Sequence, residues 1–305
     1  MYRATMLCNY GGMNSQDIYQ PKVARVERQL AIRGVDYCVY EWGDPNAPLL
    51  VYLHGWADTG STFQFAVDEL AAEWRVVAPD WRGFGRTSCR CSSYWFPDYI
   101  ADLHELLGFY SPTDSVSLVG HRMGANVGSL YAGTMPERVH AFVNVEGFGL
   151  ADSNPDDAPG RFRSWIDGAA EAPIFSRYAN FDALASRIKK RHPGMSAAAT
   201  GFVAREWARE EADGVVRIRA DPRHKLPNPV LYRRAEAVAC CRAVTAETLL
   251  VVGDDSSFAR HFDDAARHMF PDSKTVAIEG AGHMLHFEAP SALASAIENF
   301  LLPTL

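Results

Sequence analysis

Short runs of consecutive apolar residues recur along the chain and alternate with amphipathic stretches of helical length. The runs are LLVYL at 49–53, RVVAP at 75–79, SVSLVG at 115–120, AFVNV at 141–145, TLLVVG at 248–253 and KTVAI at 274–278. Such runs are typical of parallel strands covered on both faces. Helices are predicted near 61–72, 95–108, 123–134, 258–269 and 290–302. This alternation predicts an α/β fold with a mostly parallel, doubly wound sheet.

Two departures from the alternation define the predicted domain organisation. Residues 1–22 look like an N-terminal extension, and the stretch after it, RVERQLAI followed by VDYCVYEWG, predicts a β-hairpin. Between 147 and 245 the strand runs stop, apart from VVRIRA at 215–220, which predicts a mainly helical cap or lid insertion. The predicted core therefore consists of 23–146 and 246–305.

Composition and charge exclude several classes of function. The 305 residues are 48% hydrophobic and 22% charged, which is typical of a globular chain with a sizeable core. A net charge of −7 without basic runs argues against nucleic-acid binding. No apolar run approaches the ~18 residues of a membrane span. The start of the chain lacks a signal-peptide pattern, and the 6 cysteines lack a C-x-x-C spacing, which predicts free thiols and a cytoplasmic location.

Candidate chemistry is sought where the predicted strands end, because ligands of open α/β sheets bind beyond the carboxyl ends of the strands. His54-Gly55-Trp56 follows the run at 49–53. A turn at this position can aim the backbone N–H of Trp56 into the crevice, where it would donate to a developing oxyanion. No cofactor motif, no metal-ligand spacing and no signal for an oligomeric state accompanies these residues.

The segment Gly120-His121-Arg122-Met123-Gly124 follows the run at 115–119 and precedes a predicted helix. A strand, a sharp turn flanked by glycines and a helix are the context of a G-x-S-x-G nucleophile elbow. The N–H of Met123 would then be the second oxyanion donor, and Arg122 occupies the position of the nucleophile.

His283 follows the last predicted strand, on a loop that can reach over the elbow, which predicts a catalytic-type histidine. Such a histidine needs an orienting carboxylate. Asp254, after the seventh predicted strand, is the preferred candidate, and Glu146, after the sixth strand, and Asp255 are the alternatives. His286 is interpreted as structural.

These motifs together resemble the α/β-hydrolase fold family. The resemblance covers about 25–146 and 246–302 and rests on HGWAD, DWRGFGRTS, GHRMGAN, PERV at 136–139, LLVVGDD and GAGHMLHFEAP, in that order. The chain is similar to proteobacterial serine hydrolases with a GHSMG elbow and a VEGFGL-type sixth strand. The resemblance implies a helical cap over the site and hydrolysis of esters or related carbonyl compounds, which makes an ester-like small molecule the expected ligand. Glu146 also resembles the acid of some dehalogenases of this fold.

The chain departs from the family pattern at its central residue. Family members have Ser, Asp or Cys at the nucleophile position, whereas this chain has Arg122. Arginine keeps its proton at physiological pH and cannot attack a carbonyl as an alkoxide does. A buried unpaired guanidinium is costly, so we expect Arg122 to contact Glu146, Asp254 or Asp255, or to bend toward solvent.

Three functions are compatible with this pattern. The first is a hydrolase that lost or impaired its activity when Arg122 replaced the nucleophile. The second is a small-ligand binding protein in which Arg122 holds a carboxylate. The third is an enzyme of different chemistry, such as a lyase, in which His283 and its acid act as a dyad and Arg122 stabilises an anion.

Overall fold

A computed structural model describes residues 18–171 and 173–304. Within them, the hairpin strands are β1 (Arg25–Ile32) and β2 (Val35–Trp42), and the strands that follow are β3 (Leu49–Leu53), β4 (Arg75–Pro79), β5 (Val116–His121) and β6 (Val139–Val145). Strands β10 (Glu247–Gly253) and β11 (Lys274–Ile278) complete an eight-stranded sheet of order β1-β2-β4-β3-β5-β6-β10-β11. Only the β1–β2 and β2–β4 pairs of this sheet are antiparallel. The predicted mostly parallel sheet is confirmed.

Helices cover both faces of this sheet. Side chains alternate along β3, so that Leu50 and Tyr52 join one apolar cluster and Val51 and Leu53 join the other. The first cluster is covered by α1 (Gln64–Val67), α9 (Leu285–Glu288) and α10 (Pro290–Leu301), and the second by α2 (Phe96–Tyr110), α3 (Met123–Thr134) and α8 (Phe262–His268). The described part of the chain contains no helix with the length and hydrophobicity that a membrane crossing requires.

The segment between β6 and β10 contains both helices and short strands. Its helices are α4 (Ala158–Ala170), α5 (Phe181–Arg191), α6 (Ala197–Trp207) and α7 (Arg234–Arg242). A small antiparallel sheet of order β7-β9-β8 joins β7 (Arg177–Tyr178), β8 (Ala208–Glu210) and β9 (Val216–Ile218). The sequence indicated only the last of these strands, because two or three residues carry no readable alternation.

Two expectations about the ends and the cysteines of the chain need comment. Most of the predicted extension at 1–22 lies outside the described residues, but Ile18 is buried and the N–H of Tyr19 donates to the carbonyl of Ala198 at 3.1 Å. Cys89 and Cys91 form a disulfide, so the prediction of free thiols was wrong for this pair. Their separation of two residues gave no sequence signal for it.

A buried ion cluster fastens α6 to the core. Glu206 is almost fully buried, and it accepts hydrogen bonds from Arg25 at 2.8 Å and from Arg86 at 3.1 Å. Burial alone would raise the pKa of Glu206, but the two guanidinium groups lower it to about 2, against an ordinary value of 4.5. The carboxylate is therefore charged, and removal of its charge would leave Arg25 and Arg86 paired only with the less buried Glu27 within the described residues.

We expect Glu206→Gln to lower the free energy of unfolding at neutral pH by about 3–5 kcal/mol, because it breaks a buried ion cluster. Urea denaturation measures this loss. Glu211→Gln is the matched control, since Glu211 pairs with Arg209 and Arg217 near the surface and its loss should cost less than about 1 kcal/mol. Because folding lowers the pKa of Glu206, its charged carboxylate stabilises the fold fully above pH 4.5. This stabilisation is lost as the pH falls toward 2. The stability of Glu206→Gln should therefore vary less over this range, and equal costs for the two variants would contradict the argument.

Candidate functional site

Arg122 occupies a sharp turn between β5 and α3. Its backbone has φ 49° and ψ −103°, a strained conformation for a residue with a side chain. Its N–H donates to the carbonyl of Val145 at 2.8 Å, and its carbonyl accepts from the N–H of Asn126 at 3.0 Å. Gly124 is required here, because a Cβ atom would collide with the carbonyl of Leu53. The geometry of a nucleophile elbow is thus present although its central residue is arginine.

The Arg122 side chain makes no ion pair or hydrogen bond within the described parts of the chain, so the expected contact with a carboxylate is not observed. The guanidinium instead stacks over the ring of Phe258, with Cζ 4.1 Å from the ring centroid. Burial lowers the pKa of Arg122 from its usual value, and the charge of Glu146 opposes this shift. The group stays cationic, and its N–H donors are available to an anion.

Glu146 and His283 form a close contact at the centre of the candidate site. Nδ1 of His283 lies 2.5 Å from Oε2 of the fully buried Glu146. The same carboxylate accepts from the N–H of Gly253 at 3.1 Å and from the hydroxyl of Ser256 at 2.9 Å. Because Nδ1 is engaged by Glu146, Nε2 is the nitrogen that is free for proton transfer.

The structure places the preferred candidate acid, Asp254, away from His283. Asp254 is exposed, and its Oδ1 accepts from the N–H of Gly280 at 2.7 Å. Asp255 is also exposed. The reason is the strand order, in which β6 lies between β5 and β10, so that the residue after β6 is nearer to the elbow. Glu146, the alternative candidate, therefore makes the contact with His283.

The two predicted oxyanion donors lie at the ends of adjacent strands. Trp56 follows β3, and its N–H makes no backbone hydrogen bond within the described residues. Met123 begins α3, where N–H groups have no partner within the helix. His54 fixes the first turn, because its Nδ1 donates to the carbonyl of Gly55 at 2.7 Å and its Nε2 accepts from Trp81 at 2.8 Å. Burial lowers the pKa of His54 to about 4, so this histidine is neutral and structural.

His121 and His286 point into the protein rather than into the crevice. Both are almost fully buried, and Nε2 of His121 donates to the carbonyl of His283 at 3.0 Å. Nε2 of His286 lies 3.0 Å from Oδ2 of the buried Asp58. Sequence reasoning did not identify Asp58 as part of this group, nor Ser256 and Phe258 as neighbours of the dyad. The position of both latter residues just after β10 was the available signal.

A mostly apolar cavity of about 390 Å³ lies beside α3, against α2 and α7. Asn126, one helical turn after Arg122, lines it, whereas Arg122 and His283 do not. Its other lining residues include Trp95, Ile100, Leu130, Leu150, Leu231, Tyr232 and Met269. The cavity provides space for an apolar group next to the elbow.

Comparisons with known proteins show the fold family. The family model described as alpha/beta hydrolase fold matches residues 48–290. A "Serine hydrolase-like protein" of Danio rerio is 27% identical, over 86% of this chain and 84% of its own length. A "Serine hydrolase-like protein" of Dictyostelium discoideum is 24% identical, over 88% of this chain and 79% of its own. The solved thioesterase domain from the curacin biosynthetic pathway superposes with a TM-score of 0.81 at 27% identity, over 90% of this chain and 99% of that domain.

Proposed function

Because the chain belongs to the α/β-hydrolase fold family, we propose that it is a carboxylic-ester hydrolase by ancestry whose turnover is abolished or impaired by Arg122. The observation that carries the proposal is the 2.5 Å contact of His283 with the buried Glu146, beside an elbow of φ 49°. A histidine held by a carboxylate next to such a turn is the arrangement that activates a hydroxyl nucleophile.

Two other serines near the elbow do not replace the missing nucleophile. Ser117 lies within β5 and pairs with Nε2 of His140 at 3.0 Å. Ser129 lies within α3 and donates to the carbonyl of Ala125 at 2.7 Å. Both hydroxyls are buried, so neither reaches a substrate in the crevice. The segment between β6 and β10 would act as the cap that selects a small ester-like substrate.

The experiment that tests this proposal compares the wild-type chain with Arg122→Ser on p-nitrophenyl esters from acetyl to octanoyl. Activity confined to the serine variant supports a hydrolase silenced at one residue, and the preferred chain length reports the size of the acyl site. Equal activity in the two proteins would contradict the assignment of the elbow.

A second candidate function, carboxylate binding, is favoured by the free donors of Arg122. A guanidinium that is partly buried and unpaired is a strong site for a carboxylate, because Arg can donate two parallel hydrogen bonds. The N–H groups of Trp56 and Met123 would add donors for the same anion. This candidate needs no covalent step and leaves His283 as a further hydrogen-bond partner.

For this second function we expect octanoate to bind the wild-type chain at least ~10-fold more tightly than Arg122→Gln, since a charge-assisted bidentate contact is worth about 1.5–3 kcal/mol. Isothermal titration calorimetry measures both affinities. Octan-1-ol is the matched uncharged ligand and should bind the two proteins equally. Octanoate affinity that does not change in Arg122→Gln would exclude the guanidinium as the binding group.

A further inference from the structure

Three buried side chains beneath the elbow converge on one point. Asp58 follows β3, His121 ends β5 and His286 lies in α9, and each is no more than 2% exposed. One donor atom from each side chain can be chosen so that all three lie within 4.8 Å of one another. We propose that Asp58, His121 and His286 form a binding site for a divalent transition-metal ion.

The first support is a set of polar atoms without partners. Nδ1 of His121, Nδ1 of His286 and Oδ2 of Asp58 are buried and have no hydrogen-bond partner in the described structure. Oδ2 of Asp58 lies 3.0 Å from Nε2 of His286, and this nitrogen is itself 3.2 Å from the hydroxyl oxygen of Thr62. Buried polar atoms are almost always paired, so three such atoms in one cluster indicate a missing partner.

The second support is the way in which the outer atoms of these side chains are held. Nε2 of His121 donates to the carbonyl of His283 at 3.0 Å, which fixes the tautomer and leaves a lone pair at Nδ1. Oδ1 of Asp58 accepts from the hydroxyl of Thr62 at 2.8 Å and from the indole of Trp207 at 2.7 Å, so that Oδ2 is the oxygen that faces His286. Metal ligands in proteins are oriented by hydrogen bonds of this kind.

Two imidazoles and one carboxylate favour Zn²⁺, Co²⁺ or a similar ion over Mg²⁺ or Ca²⁺, which prefer oxygen ligands. At metal–ligand distances of ~2.1 Å, tetrahedral donors lie about 3.4 Å apart, so modest side-chain rotations complete the site. The sequence gave no indication of this metal site, because the three ligands come from distant segments and share no motif spacing. Although His121 contacts the carbonyl of His283, the proposal uses neither Arg122 nor the Glu146–His283 contact, so it does not depend on the proposed esterase ancestry.

The test uses Co²⁺ as a spectroscopic probe. The full chain is produced without a histidine tag in medium supplemented with Co²⁺, and its metal content and visible absorption are measured. We expect about one Co²⁺ per chain, with the intense ligand-field bands of a low-symmetry nitrogen and oxygen site. We expect His286→Gln and Asp58→Asn to weaken binding more than ~100-fold.

His268→Gln is the matched control, since His268 pairs with Asp264 on the protein surface and should not affect binding. Substoichiometric Co²⁺ in the wild-type chain, or binding that survives in His286→Gln, would overturn the proposal. The cluster would then be a buried Asp58–His286 pair completed by water. A stoichiometry below one Co²⁺ in the wild-type chain overturns the proposal even if a variant fails to fold, and no activity enters the measurement.

Discussion

Arg122→Ser should hydrolyse p-nitrophenyl esters between about 10³- and 10⁶-fold faster than the wild-type chain. The upper figure is the effect of removing the nucleophile from an intact serine hydrolase, and the lower figure allows for a pocket that fits its substrate poorly. The change replaces a guanidinium that stacks on Phe258 with a hydroxyl on the elbow. The elbow backbone and the Glu146–His283 contact are already in place, and the N–H groups of Trp56 and Met123 are the expected oxyanion donors.

Arg122→Ala is the control for this result. It removes the guanidinium as Arg122→Ser does, but it supplies no nucleophile, so its rate should stay near that of the wild-type chain. Activity in the alanine variant equal to that of the serine variant would mean that water attacks the ester directly and that the covalent route is wrong. Absence of esterase activity in both variants would instead indicate that the pocket is adapted to ligand binding.

The sequence predicted the sheet well, because buried parallel strands are the least ambiguous signal in this chain. The runs at 49–53, 75–79 and 274–278 coincide with β3, β4 and β11. Helices were predicted less well where they are short. The predicted helix at 61–72 contains α1, which covers only Gln64–Val67 after a turn of 3₁₀ helix, because the chain folds tightly around the buried Asp80 carboxylate that accepts from Gly60.

The sequence indicated which turns carry the candidate residues, but not which of those residues contact one another. The positions of Arg122 and His283 followed from the turns after β5 and β11. The partner of His283 did not, because the choice between Glu146 and Asp254 depends on which strand lies beside β5. Strand order is a property of tertiary packing, and no local pattern encodes it. The stacking of Arg122 on Phe258 was hidden for the same reason.

The choice between Glu146 and Asp254 as the partner of His283 leads to the second prediction of a large effect. It is measured in the Arg122→Ser background. Glu146→Gln should lower kcat by about 10²–10⁴-fold, because a neutral amide neither stabilises the imidazolium nor holds the required tautomer. Asp254→Asn should change kcat less than ~3-fold, since its amide oxygen still accepts from Gly280 and no charge near His283 is lost. Both variants change one carboxylate to its amide, so they are matched in size and shape.

Steady-state kinetics on the best p-nitrophenyl ester separates the two possibilities. If Glu146 orients His283, the loss in Glu146→Gln appears in kcat with little change in KM, because the carboxylate is buried and does not touch the substrate. A large loss in Asp254→Asn, with Glu146→Gln nearly unchanged, would mean that the loop after β10 rearranges when substrate binds. Circular dichroism of Glu146→Gln is needed alongside, since the carboxylate also accepts from Gly253 and Ser256 and its loss weakens the turn after β10.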